Sequence, residues 1–114
     1  MISKINVVWL YVRDMERSTA FYRDVLGIPL QGDGDWVETS FSDGVRFALH
    51  QAHGDVSPGT INVDFEVADI DDAVGRLRAA GVEVGEVARE PFGCVAEFRD
   101  PDGYVLELFQ PPTK

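Results

Sequence analysis

The chain has 114 residues with 20 Asp and Glu against 10 Lys and Arg, a formal net charge of −10. That length makes one domain, since half of it would struggle to bury enough apolar surface to fold alone, and the charge argues against nucleic acid, whose phosphates need clustered Lys and Arg. Met1-Ile2-Ser3-Lys4 lacks the apolar run of a signal peptide, no stretch is long enough to span a bilayer, and Cys94 is the only cysteine, so a cytoplasmic protein with no disulfide and no membrane partner is expected.

In chain order, residues 5–12 are β-rich and almost wholly apolar, as in a strand buried on both faces. Asp14 is a fitting N-cap for a helix whose Phe21, Tyr22, Val25 and Leu26 form an apolar stripe before Gly27 stops it. A short strand is predicted over 28–31, and a hairpin over 36–41 and 45–51 across Ser42-Asp43-Gly44. Residues 53–59, with Pro58 and two glycines, form a linker. The pattern then starts again. Residues 61–67 predict a strand, Asp69 caps a helix with Ile70, Ala73, Val74, Leu77 and Ala80 at helical spacing, and Gly81 ends it. Strands over 82–87, 94–98 and 104–109 complete the second half, the last one launched by Asp100-Pro101-Asp102-Gly103. Val67-Ala68-Asp69-Ile70 thus repeats Val12-Arg13-Asp14-Met15, and each half closes on a glutamine, Gln51 or Gln110. A repeat of this kind implies two copies of one supersecondary unit.

Strict alternation along a strand assigns faces. Leu106 and Leu108 point to the helix side, leaving Val105, Glu107 and Phe109 opposite; likewise Phe47 and Leu49 are core, and Arg46, Ala48 and His50 are not. Ile61, Val63, Phe65 and Val67 are core, so Asn62, Asp64 and Glu66 share the other face. Through the repeat Val7 matches Asn62, Trp9 matches Asp64 and Tyr11 matches Glu66, and Trp36, Glu38 and Ser40 join the same face. The expected surface is a curved sheet with aromatics from one half and acids from the other.

The run Val12-Arg13-Asp14-Met15-Glu16-Arg17-Ser18-Thr19-Ala20-Phe21-Tyr22 followed by Leu26-Gly27, and Arg99-Asp100-Pro101-Asp102-Gly103 with Leu106-Glu107-Leu108, closely resemble the signatures of the vicinal oxygen chelate superfamily. That superfamily includes glyoxalase I, bleomycin-resistance proteins and extradiol dioxygenases. The resemblance spans essentially the whole chain and implies an α+β fold: two tandem βαβββ modules, about 1–52 and 60–114, forming a cup-shaped mixed sheet with helices outside. It also implies a homodimer. In metal-dependent members the four ligand positions correspond here to Val7, Ala48, Asn62 and Glu107. Valine and alanine cannot ligate, and asparagine is a weak oxygen donor, so no metal cofactor is expected. The alternative is a shifted set of His50, Asp64 and Glu107 holding Mn, Fe, Ni or Zn for a lyase, isomerase or dioxygenase, or metal-free acid–base work by Glu107 and His50.

Single residues carry open alternatives. Trp9 is a stacking platform for a flat ligand or a filler of the space a metal would take. Trp36 serves the ligand or covers a dimer contact, and Asp64 and Glu66 face a cationic ligand or plain solvent. Arg46 is available to pair with Glu107. Cys94 reads as core. The leading expectation is a small-molecule binder of the bleomycin-resistance, antibiotic-resistance type that sequesters or carries an aromatic or cationic compound. Its binding residues are Trp9, Tyr11, Trp36, Arg46, His50, Asn62, Asp64, Glu66 and Glu107.

Overall fold

Both helices begin with the same construction. In the computed structural model, which describes residues 1, 7–40, 44–59 and 63–113, the Asp14 carboxylate accepts from Arg17 N at 3.1 Å and that of Asp69 from Asp72 N at 3.0 Å. A second orphan donor at each helix start is taken by the glutamine that ends the same half. Gln51 Oε1 accepts from Met15 N at 3.1 Å, and Gln110 Oε1 from Ile70 N at 2.8 Å. Gln51 Nε2 also donates to the carbonyls of Arg13 at 2.8 Å and Ala52 at 3.0 Å. The repeated Asp and Gln therefore satisfy helix N–H groups that have no intrahelical partner. Gln51→Ala, which removes all these bonds, is expected to cost about 1–2 kcal/mol in urea unfolding; an unchanged midpoint would assign the tie no weight.

The chain divides into two compact units, Met1–Ser57 and Pro58–Lys114. In the first, β1 (Val7–Val12) leads to α1 (Met15–Ala20), a π-helical turn (Phe21–Val25), β2 (Leu30–Gln31), β3 (Trp36–Thr39) and β4 (Arg46–Gln51). In the second, β5 (Val63–Glu66) leads to α2 (Ile70–Ala79), β6 (Ala88–Glu90), β7 (Gly93–Arg99) and β8 (Val105–Gln110). Each unit holds one four-stranded sheet, ordered β1-β4-β3-β2 and β5-β8-β7-β6. The first strand of each runs parallel to the last, and the remaining pairs are antiparallel. The fold is α+β, two tandem βαβββ modules.

Alternation places the cores. In the first unit Leu10, Val12, Val37, Phe47 and Leu49 are buried with Tyr22, whose ring lies 5.3 Å from that of Phe47. In the second, Ile70, Val74 and Leu77, spaced to share one helix face, are buried, as are Ala96, Phe98, Leu106 and Leu108. The turn before β8 is fixed by Asp100, whose Oδ1 accepts from Asp102 N and Tyr104 N, each at 2.9 Å. Among the described residues no helix is long and apolar enough to cross a membrane.

Several sequence expectations change. The first strand is not buried on both faces: Trp9 and Tyr11 are 44% and 50% exposed. Residues 82–87 do not form a strand. Val84 makes a single bridge to Phe98, and pairing resumes at Ala88 opposite Val95. Residues 85–87 thus face only 96–97, a β-bulge that moves the strand to Ala88–Glu90. Gly85 N still donates to Glu97 O at 2.9 Å within it. The first helix is not α-helical throughout, since Leu26 N reaches back five residues to Phe21 O at 3.0 Å. Cys94 is half-buried rather than core, with its Sγ 3.7 Å from the Arg89 guanidinium. Ile61, Phe41, Ser42 and Asp43 lie outside the described residues.

Candidate functional site

Strand register sorts the open face of the first sheet into rows. Val7 stands beside Arg46; Trp9, Ala48 and Glu38 form the next row; Tyr11, His50 and Trp36 form the third. Within the third row the rings touch: Tyr11 and His50 have centroids 5.2 Å apart, and His50 and Trp36 are 5.7 Å apart, edge to face at 88°. Trp9 and Trp36 sit on β1 and β3, two strands apart, a spacing of about 9.6 Å. Their ring centroids are nevertheless only 5.8 Å apart. The two indoles therefore lean toward one another over β4, where the residue in the Trp9 row is Ala48, itself wholly buried. A methyl group is small enough to leave that space to them. Gly32, at φ +117°, lets the chain pass where a Cβ would meet the Trp36 carbonyl oxygen at 2.7 Å, and so sets the entry to β3.

Polar partners lock this face. Trp36 Nε1 donates to Glu38 Oε1 at 3.2 Å, and Arg46 Nη1 meets Glu38 Oε2 at 2.6 Å. The indole hydrogen bond and then the guanidinium hold the Glu38 carboxyl below its usual range. Arg46, available in sequence terms as a partner for Glu107, forms an ion pair with Glu38 on its own sheet. That pairing leaves the aromatic face locally neutral. His50 Nδ1 lies 3.0 Å from Gln51 O. A carbonyl only accepts, so this nitrogen carries the proton, an assignment made from the hydrogen-bond network.

The open face of the second sheet is acidic. Asp64, Glu107 and Glu97 stand in one row across β5, β8 and β7, and Glu66 is in the next row beside Phe109. Burial, then Asp64, then Glu97 raise the Glu107 carboxyl above its ordinary 4.5. Burial and then Glu66 raise Asp64 above 3.8. Such carboxyls bind protons more tightly in the folded than in the unfolded chain. Their contribution to stability is thus full below the unfolded pKa and is lost as pH rises through the folded one. Glu107→Gln should accordingly stabilise the protein near pH 7, by less than about 1 kcal/mol for a solvent-screened row, and should have no effect near pH 3. Thermal melts across that range check it; a gain that persists at pH 3 would assign the effect to something other than charge.

Of the expected site residues, Trp9, Tyr11, Trp36, Arg46 and His50 come together on the first sheet, while Asp64, Glu66 and Glu107 share a face of the second. Asn62 lies outside the described residues. Two residues were missed. Glu38 was placed on the right face but given no role, and Glu97 was not considered. The signal for Glu97 is the one that exposed Glu107, an acid between two core residues, here Ala96 and Phe98.

The metal positions inherited from the resemblance do not fit an ion. Val7 and Ala48 offer no donor atom, and Ala48 lies under the indole pair. Among the described residues no group of three His, Cys, Asp or Glu side chains is disposed to hold a metal.

Comparison with known proteins places this geometry in a family of mixed chemistry. The chain is 28% identical to a probable lactoylglutathione lyase of Synechocystis sp., over 90% of this chain and 92% of that one. It is 29% identical to the glutathione transferase FosA of Serratia marcescens, over 95% of this chain and 81% of that one. The crystal structure of TnmS3, an antibiotic binding protein from Streptomyces sp. CB03234, superposes with a TM-score of 0.83 at 28% identity, covering 97% of this chain and 98% of that one. The model of the Glyoxalase/Bleomycin resistance protein/Dioxygenase superfamily matches residues 4–108. This protein, with its paired βαβββ modules, belongs to that superfamily.

Proposed function

We propose that this chain is a small-molecule binding protein that sequesters or carries a planar aromatic compound on the Trp9–Trp36–His50–Tyr11 face. One observation carries the reading: two indoles on strands two apart close to 5.8 Å above a buried alanine, at a position where metal-dependent relatives would need a ligand. Packing alone does not require a half-exposed tryptophan. A flat apolar ligand gives both indoles a partner and withdraws its own surface from water. Ring faces also accept a cationic substituent, so a positively charged aromatic suits the site. The likeness to an antibiotic binding protein supports a role in holding such a compound. Glu107, with its raised pKa, is the group that favours an acid–base enzyme as the second reading.

A screen of planar aromatic and size-matched aliphatic compounds, read by tryptophan fluorescence, tests the proposal. Quenching or shift by the planar set alone is expected. Response to neither set would refute it, and turnover of a bound compound that Glu107→Gln abolishes would favour the enzyme.

A further inference from the structure

The ligand's polarity is written into His50. Its Nδ1 is committed as a donor to the Gln51 carbonyl at 3.0 Å, so the neutral ring carries its lone pair on Nε2. Nε2 lies across the ring from that carbonyl, and no described residue hydrogen-bonds to it. The ring is half-buried between Tyr11 and Trp36 in a single row. A molecule covering the row therefore takes water away from a basic nitrogen. That desolvation is unfavourable unless the ligand supplies a donor. Both Glu38 oxygens already accept a hydrogen bond, one from Trp36 and one from Arg46.

We infer that His50 Nε2 accepts a hydrogen bond from a hydroxyl of the ligand, so that the site selects hydroxylated aromatics, phenols and naphthols, over their ethers. This rests on the aromatic-face reading and specifies its ligand class. An ether of the same shape stacks as well but leaves Nε2 desolvated and unpaired, the situation in which hydrogen-bonding sites discriminate most strongly.

The test uses 2-naphthol and 2-methoxynaphthalene, titrated into 15N-labelled protein while the two tryptophan indole cross-peaks are followed. The wild type should bind 2-naphthol at least ~10-fold more tightly. His50→Phe keeps a ring against Tyr11 and Trp36 but has no acceptor to desolvate, and should bind the two compounds with equal affinity. The wild type supplies a second readout that needs no variant: the Nε2 resonance of His50 should move with 2-naphthol and not with the ether. Indole shifts without discrimination, or discrimination that survives in His50→Phe, would overturn the inference and leave the aromatic site standing. Absence of indole shifts with both compounds would overturn the aromatic site and the inference together.

Discussion

Gly93→Ala should be among the most damaging single-methyl additions to this chain, lowering stability by about 2–4 kcal/mol. Gly93 has φ +141°, a conformation side-chain-bearing residues rarely adopt. A Cβ there would stand 2.6 Å from the Gln110 carbonyl oxygen and 2.6 and 2.9 Å from two ring carbons of Phe109. The ring is the end of a side chain; the carbonyl is backbone of β8 and does not turn aside. Gln110 is also the residue whose side chain receives Ile70 N at the start of α2, so the displacement spreads to the helix. Urea unfolding of the variant beside Gly85→Ala, where the nearest atom is 3.6 Å away, is the measurement. Equal midpoints for the two variants would mean that Phe109 and Gln110 do not close on Gly93. Against a total stability of roughly 5–15 kcal/mol, the expected loss is large.

Trp9→Leu is the variant with the largest expected effect on ligand binding. The side chain is nearly half exposed and belongs to no buried core, so the fold should survive. Binding of a planar compound should weaken at least ~10-fold, about 1.4 kcal/mol, because one wall of the ring pair is lost. Trp36→Leu is a less clean experiment. It also leaves Glu38 Oε1 without its indole donor and disturbs the ion pair with Arg46. Titration of both variants with the same compound separates the roles: Trp9 acts by contact alone, whereas Trp36 also fixes the charge beside it. A Trp9→Leu protein that binds as tightly as wild type would remove the indole from the site.

Much of this was legible in the sequence because the period of a strand is strict. Once Phe47 and Leu49 were core, Arg46, Ala48 and His50 had to share the opposite face, and the repeat carried Trp9 and Tyr11 there too. The helix starts were equally readable, since Asp14 and Asp69 recur at the same place in each half. What escaped depended on distances between strands. The bulge between Val84 and Ala88 is hidden because Val82, Val84 and Val87 keep a strand-like composition whatever they pair with. The Arg46–Glu38 pair follows from the β3–β4 register, which no single-strand pattern reveals. The closure of Trp9 on Trp36 depends on how two side chains lean over the strand between them. Sequence alone therefore left Trp9 undecided between platform and filler; the structure shows it half-exposed, with its ring 5.8 Å from that of Trp36.

Titration of a planar compound selected by the fluorescence screen into wild-type and Trp9→Leu protein, each with and without EDTA, tests the aromatic site most directly. The expected result is one affinity for the wild type regardless of EDTA and a loss of at least ~10-fold in the variant. Binding that EDTA abolishes and that Trp9→Leu retains would contradict an aromatic site and return the face to metal chemistry.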